Sequence, residues 1–110
     1  MSRFTKYQIM WVFVHFDLPT ETKKDRKNYS KFRKFLLTDG FSMIQYSIYA
    51  RHCSSRENAM VHKKRVKSML PPFGNIIVFE ITDAQFAKLE FFNGKKLSDP
   101  VNQPRQLELF

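Results

Sequence analysis

The chain has 110 residues, of which 43% are apolar and 15% aromatic, and it carries a formal charge of +9. This length and composition indicate one globular domain and exclude a disordered chain, and the single cysteine, Cys53, excludes an internal disulfide and a cysteine-based zinc site. No apolar run approaches the roughly 20 residues of a membrane span, and residues 1–6 contain no apolar signal segment, so we expect a cytoplasmic protein with no membrane partner.

The first half of the chain predicts a strand, a cationic helix and a second pair of strands. Residues 9–16 are apolar at both alternating sets of positions, so both faces of this first strand should be covered. Residues 23–39 show helical periodicity, with Thr22 as the N-cap and Gly40 as the C-terminal stop. Residues 41–52 predict two strands or one sharply bent strand.

The second half predicts a helix, a strand and several shorter elements. Ser54 and Glu57 match the capping-box pattern at a helix start, and this helix should end before Pro71. The remaining predicted elements are a strand at 75–81 that is apolar on both faces, a turn or short helix at 82–85, a short strand at 88–92 and a linker at 95–105.

The predicted order is β-α-β-β-α-β, which is the α+β, ferredoxin-like plan with an antiparallel sheet and both helices on one face. We assign residues 1–93 to this domain and residues 94–110 to a linker and an extra C-terminal strand that pairs with a partner. Since the strands at 9–16 and 75–81 are apolar on both faces, and one small chain has no third layer to offer, the second sheet face needs a cover. We therefore expect a homodimer packed sheet to sheet.

The basic residues are concentrated in one part of the chain. Residues 1–70 hold 15 basic and 5 acidic side chains, whereas residues 71–110 hold 4 and 5. Such clustering is typical of a nucleic-acid-binding protein, and a general solubility charge is the alternative. From charge placement alone, the predicted nucleic-acid contacts are Lys23, Lys24, Arg26, Lys27, Arg51, Arg56, Lys63 and Lys64.

Asp17 is the candidate for chemistry because it directly follows an apolar strand and precedes a basic helix. A carboxylate in this position could hold Mg²⁺, which takes one or two carboxylates, several waters and phosphate oxygens, and a two-fold axis would supply the second carboxylate. The alternative is a turn residue that hydrogen-bonds its own backbone. His15 lies on the same side of the strand, where it could relay a proton or simply pack.

The ordered set of these segments resembles the CRISPR-associated Cas-two family, and more narrowly the branch that accompanies Cas-nine effectors. The resemblance covers residues 9–92 and includes the first strand ending at Asp17, the basic helix, and the later strand at 77–81. It implies a ferredoxin-like homodimer that bridges two dimers of the Cas-one integrase and takes part in inserting short duplex DNA into a CRISPR array. It also implies an Mg²⁺-dependent endonuclease activity on RNA or DNA that uses Asp17.

A stand-alone metal-dependent or toxin-like nuclease without an integration role is the alternative function. The C-terminal segment suits the family's habit of adding a strand to the partner's sheet edge, with Leu107, Leu109 and Phe110 as the side chains that bind. Residues 106–110, which read Gln-Leu-Glu-Leu-Phe, also resemble peptides that bind the bacterial sliding clamp. A chance match of five residues is the alternative to that second resemblance.

Overall fold

The computed structural model describes residues 8–94 and 96–98. The elements are β1 Met10–Asp17, α1 Lys23–Thr38, β2 Ser42–Gln45, β3 Ile48–Cys53, α2 Arg56–Ser68, β4 Asn75–Thr82, α3 Asp83–Phe86, β5 Phe91–Asn93 and β6 Lys96–Ser98. This order confirms the α+β, ferredoxin-like prediction, with a short third helix and a β-hairpin after β4. No helix in the described ranges combines the length and the hydropathy needed to cross a bilayer.

The main sheet has four antiparallel strands in the order β2-β3-β1-β4, so β1 is a central strand. Because β3 and β4 both run opposite to β1, the end of β1 lies beside the start of β3 and the start of β4. Asp17, the turn at Tyr46 and Ser47, and Asn75 therefore lie together at one end of the sheet, which we call the Asp17 end. The chain direction also places the first turn of α1 and the last turn of α2 at this end.

One face of the sheet carries the main hydrophobic core. Val12, Val14 and Phe16 alternate along β1 on this face and are fully or almost fully buried, together with Phe32 and Leu36 of α1. The period of two along the strand and the helical spacing of the α1 residues bring these side chains into one layer between helix and sheet. With these apolar residues packed on the sheet, most of the basic side chains of α1 face solvent.

The helix starts and stops were predicted with one error. The hydroxyl of Thr22 caps α1 by accepting the Asp25 backbone N–H at 2.9 Å. The predicted box of Ser54 and Glu57 is wrong, since the N-cap of α2 is Ser55, whose hydroxyl accepts the Asn58 backbone N–H at 3.0 Å. The motif placed the helix start one residue too early because it counts only Glu or Gln as the returning acceptor. Here the amide oxygen of Asn58 takes that part and accepts the Ser54 N–H at 3.3 Å.

The second face of the sheet is partly covered by the chain itself, which corrects the expectation that no third layer is available. The ring of Phe86 in α3 stacks on Trp11 with centroids 3.9 Å apart, and the Trp11 indole N–H donates to the Asp83 carboxylate at 2.8 Å. Phe91 in β5 and Phe86 pack against Phe13, which is buried. A segment after β4 therefore covers the half of this face that is distant from Asp17.

The rest of the second face is open in the described residues. Ile77 and Phe79 on β4 are 58% and 42% exposed. They are the cross-strand partners of His15 and Phe13, so they share this face with those residues. We call the area formed by His15, Ile77 and Phe79 the open face.

The C-terminal part of the domain differs from the predicted pattern. Residues 96–98 form β6 and pair with β5, where the sequence predicted a linker, and residues 88–90 precede the strand instead of belonging to it. The Leu89 N–H donates to the Phe86 carbonyl at 3.0 Å, so this segment continues as turns from α3. The predicted strand at 106–110, with Leu107, Leu109 and Phe110, lies outside the described residues.

Candidate nucleic-acid interface

Asp17 is the last residue of β1 and its side chain is exposed. It is paired across the ladder with Asn75, and it lies on the same side of β1 as the exposed His15. The loop before β4 approaches the Asp17 backbone so closely that a Cβ atom on Gly74 would lie 2.9 Å from the Asp17 carbonyl oxygen. Gly74 has φ +104°, so only a residue without a side chain adopts this conformation easily.

The residues around Asp17 fit a weakly held Mg²⁺ ion better than an all-protein metal site. Within the described residues there is no group of three or more His, Cys, Asp and Glu side chains that could hold a metal. The donor set of one chain at this end is the Asp17 carboxylate and, from the opposite strand, the Asn75 amide oxygen. Mg²⁺ is commonly bound through one or two carboxylates while it keeps several waters, so this set suits an ion shared with substrate phosphates or with a second chain.

A tyrosine cluster lies next to Asp17 on the helix side of the sheet, and sequence reasoning missed it. The Tyr49 hydroxyl accepts the Arg33 Nε–H at 3.0 Å, and Tyr29 lies close enough to Tyr46 and Tyr49 to interact electrostatically with both. Burial raises the pKa of Tyr29, and the neighbouring Tyr46 and Tyr49 raise it further. The Phe16 N–H donates to the Ser47 carbonyl at 3.1 Å, which ties this turn to the strand that carries Asp17.

The first turns of α1 bring predicted cations to the Asp17 end. Lys23, Lys24 and Lys27 are exposed there. Arg26 is also exposed, but its guanidinium donates to the Thr20 carbonyl at 3.1 Å and to the Glu21 carbonyl at 3.0 Å. Arg26 therefore holds the loop that joins β1 to α1, in addition to its positive charge.

The other predicted contacts are spread over the rest of the molecule. Arg51 is half-buried against Gly40 at the opposite end of the sheet, and its buried Nε has no hydrogen-bond partner within the described residues. Arg56 is exposed at the start of α2, also far from Asp17. Lys63 is half-buried and pairs with the Glu80 carboxylate at 3.3 Å, and Lys64 is exposed.

The helix layer as a whole presents a strongly cationic surface. Exposed Lys and Arg side chains number six on α1 and four on α2, whereas Glu57 is the single exposed acidic residue on these two helices. This imbalance makes a positive potential over one broad face of the molecule. The exposed members are Lys23, Lys24, Arg26, Lys27, Lys31, Lys34, Arg56, Lys64, Arg65 and Lys67.

The Asp39 carboxylate connects the two long helices at the end opposite to Asp17. The Asp39 carboxylate, just after α1, contacts His62 Nδ1 at 2.7 Å and accepts from Arg65 at 2.9 Å. His62 is almost fully buried on α2, so its ring nitrogen needs this partner. The sequence gave no sign of this pairing, because Asp39 is 23 residues away from His62.

Comparison with known proteins identifies close relatives. A model of the family described as CRISPR associated protein Cas2 matches residues 10–89. A CRISPR-associated endoribonuclease Cas2 of Flavobacterium psychrophilum is 55% identical over 109 residues, which are 99% of this chain and 95% of the relative. One of Parvibaculum lavamentivorans is 52% identical over 101 residues, covering 92% of this chain and 100% of the relative. One of Ligilactobacillus salivarius is 42% identical over 93 residues, covering 84% and 92%.

Proposed function

Because the chain belongs to the CRISPR-associated Cas2 family, we propose that it is a duplex-DNA-binding subunit of the complex that inserts new spacers into a CRISPR array. The observation that carries the DNA-binding part is the cationic surface of α1 and α2, with ten exposed Lys and Arg side chains and one exposed acid. Phosphate contacts from lysines bind DNA without reading its sequence, which suits a subunit that must accept any foreign DNA.

The active form is a homodimer packed through the open face. Ile77 and Phe79 expose apolar surface next to the buried Phe13. Soluble monomers rarely leave a contiguous apolar patch uncovered, so this area is suited to an interface. A second copy related by a two-fold axis would cover them with the same surface and bring two Asp17 ends into one particle. The dimer would carry a formal charge of about +18, twice that of one chain, which favours long-range attraction of a polyanion.

The C-terminal segment completes this dimer in our proposal. Within the described residues β4 pairs with β1 alone, so the outer edge of β4 offers unpaired N–H and C=O groups. Leu107, Leu109 and Phe110 would add a strand to such an edge on the partner chain. Binding of residues 106–110 to a sliding clamp is the competing use of this segment, and a pull-down with the purified clamp distinguishes the two.

The direct test is spacer integration in vitro with the Cas-one integrase partner. We expect the wild-type chain to support insertion of short duplexes, and the Asp17→Asn variant to support it as well, since the integration role rests on charge and shape. A variant with Lys23, Lys24 and Lys27 replaced by Glu should lose integration while remaining folded and dimeric. Integration that is unchanged in this charge-reversal variant would contradict the proposed role of α1.

A second candidate function is Mg²⁺-dependent cleavage of RNA or DNA, supported by the endoribonuclease names of the relatives and by the exposed carboxylate of Asp17. Asp17 and the Asn75 amide oxygen would hold the ion, which when bound would activate water and neutralise phosphate charge. His15 lies two residues before Asp17 on the same side of the strand, and in this role it would move a proton. A stand-alone nuclease of this kind would need no integrase.

Cleavage assays decide between these roles. We expect Asp17→Asn to abolish any Mg²⁺-stimulated cleavage without changing the dimer, with Glu21→Gln as a control that removes an exposed carboxylate four residues away. Cleavage that survives Asp17→Asn in highly purified protein would exclude the assigned metal role. Cleavage without the integrase and failure of integration would together favour the stand-alone nuclease.

A further inference from the structure

Two exposed aromatic rings flank Asp17, and the proposed function gives neither of them a role. Tyr46 is 80% exposed and Phe73 is 66% exposed. Tyr46 lies in the turn before β3, on one side of β1, and Phe73 lies just before β4, on the other side. The sheet order therefore puts one ring on each side of the strand end that carries Asp17.

The attachments of both rings to the Asp17 strand are rigid. Ser47 takes the left-handed backbone conformation at φ +65°, and its carbonyl oxygen accepts the Phe16 N–H. Tyr46 lies close to Tyr29, whose ring packs edge-on against Phe16 with centroids 5.7 Å apart. The Tyr46 ring is 80% exposed, so its faces are free for stacking, and a side chain on a turn fixed in this way loses little entropy when it binds.

The Phe73 side is fixed in a comparable way. The neighbouring Gly74 lies so close to Asp17 and Leu18 that a Cβ atom there would be 2.5 Å from Leu18 Cδ2. This contact holds the chain just after Phe73 against the end of β1. Because Tyr46 contacts Tyr29 on the helix side of the sheet, a dimer packed through the opposite face leaves the Tyr46 ring accessible.

We propose that Tyr46 and Phe73 are stacking positions for two unpaired bases, one on each side of the strand end that carries Asp17. This inference rests on the proposed function, because it requires that a nucleic-acid strand reaches the Asp17 end. The two rings would hold an unpaired strand at that end, whereas the lysines of α1 take the duplex.

The distance between the β-strands favours an unpaired nucleic-acid strand over a duplex. Since adjacent strands are about 4.8 Å apart, the backbones of β3 and β4, on either side of β1, are separated by about 10 Å. Bases of a regular duplex follow one another at about 3.4 Å, so two successive bases in a continuous stack cannot reach both rings. Splayed bases of a single strand can do so, and aromatic stacking accepts any base.

Equilibrium binding of a single-stranded oligonucleotide and of a blunt duplex tests the proposal in wild-type protein and four variants. Each stack is worth about 1–3 kcal/mol, so Tyr46→Ala and Phe73→Ala should each weaken single-strand binding by roughly 5- to 150-fold and leave duplex binding unchanged. Tyr46→Phe keeps the ring and should bind nearly as wild type. Phe92→Ala, which removes an exposed ring from β5, is the matched control and should bind as wild type.

The outcomes separate this inference from the proposed function. Unchanged single-strand binding in both alanine variants, or an equal loss on the duplex, overturns the stacking positions while duplex binding by wild type still supports the cationic surface. A loss in Phe92→Ala as large as in Tyr46→Ala also overturns them. RNA and DNA strands are tested in parallel, and a selective loss on either one supports the proposal and identifies the strand that the Asp17 end accepts. Wild-type protein that binds neither probe at low salt would contradict both proposals.

Discussion

Gly74 connects the loop before β4 to the backbone of Asp17, so replacing it with alanine perturbs the candidate site through one methyl group. The added Cβ would lie 2.9 Å from the Asp17 carbonyl oxygen and 3.2 Å from the Leu18 Cα, as well as 2.5 Å from Leu18 Cδ2. The Leu18 methyl group can rotate away, but the two backbone atoms can move only if the strand end moves. Gly94→Ala is the matched control, since Gly94 also has positive φ, at +67°, and a Cβ there meets nothing within 4 Å.

The expected magnitude has two parts. A side chain in the left-handed region costs about 1–2 kcal/mol, and this part applies to both variants. Forcing a methyl group against rigid neighbours adds about 1–3 kcal/mol at Gly74 alone. Gly74→Ala should therefore lower the free energy of unfolding by about 2–5 kcal/mol and Gly94→Ala by about 1–2 kcal/mol. Loss of backbone freedom in the unfolded chain affects the two variants alike and cancels in the comparison.

Urea denaturation followed by circular dichroism measures both values, and the slope of the transition shows whether unfolding remains two-state. A domain of this size usually has a stability of about 5–15 kcal/mol, so the Gly74→Ala variant should still fold in the absence of urea. Equal destabilisation of the two variants would refute the close approach between Gly74 and Asp17. A double variant of Gly74→Ala with Leu18→Ala that is no less stable than Leu18→Ala alone would assign the clash to the Leu18 side chain instead of the backbone.

Three further predictions concern the core, the thiol and the open face. Asp39→Ala should lower the free energy of unfolding by about 2 kcal/mol, mainly because the buried His62 loses its partner. Replacing the exposed Arg65 with alanine should lower it by less than about 1 kcal/mol. Urea denaturation of both variants measures these values, and equal effects would contradict the prediction. Burial raises the pKa of the Cys53 thiol, and the nearby Arg51 partly opposes this effect. The unfolded chain therefore loses this proton at a lower pH than the folded chain, so stability should fall as pH rises above 9.0, the ordinary pKa of the thiol. Cys53→Ala should lose that part of the pH dependence, and an identical pH profile would contradict the assignment. Phe79→Glu should convert the proposed dimer to a folded monomer in sedimentation velocity, and a dimer that persists in this variant would exclude the open face as the interface.

The order of the long elements could be predicted because each has its own local sequence signal. The continuous apolar run of β1 and the helical spacing of Phe32 and Leu36 are local signals, and both segments contribute to the main core. The cover over Trp11 was not predicted, because it depends on a four-residue helix whose Phe86 reaches back across the sheet. Short elements carry too few residues to show a period, so their partners are set by tertiary contacts.

The candidate site was predicted only in part for a similar reason. Asp17 was evident from its position after an apolar strand, and the charge of α1 from composition. Its neighbours Tyr46 and Asn75 reach the same end of the sheet through strand order, which is a property of the topology and not of local spacing. The sequence also grouped Arg51 with the lysines of α1, whereas the fold puts Arg51 half-buried at the opposite end.

The central claim is that two copies of this chain bind duplex DNA through the lysines of the helix layer. Lys23, Lys24, Lys27 and Lys31 are exposed on α1, so a dimer offers eight such lysines. The most direct test is the affinity for a blunt duplex measured over a range of salt concentrations. If each lysine neutralises one phosphate, log K should fall with log salt at a slope of about −7. A slope shallower than about −2 would contradict the claim.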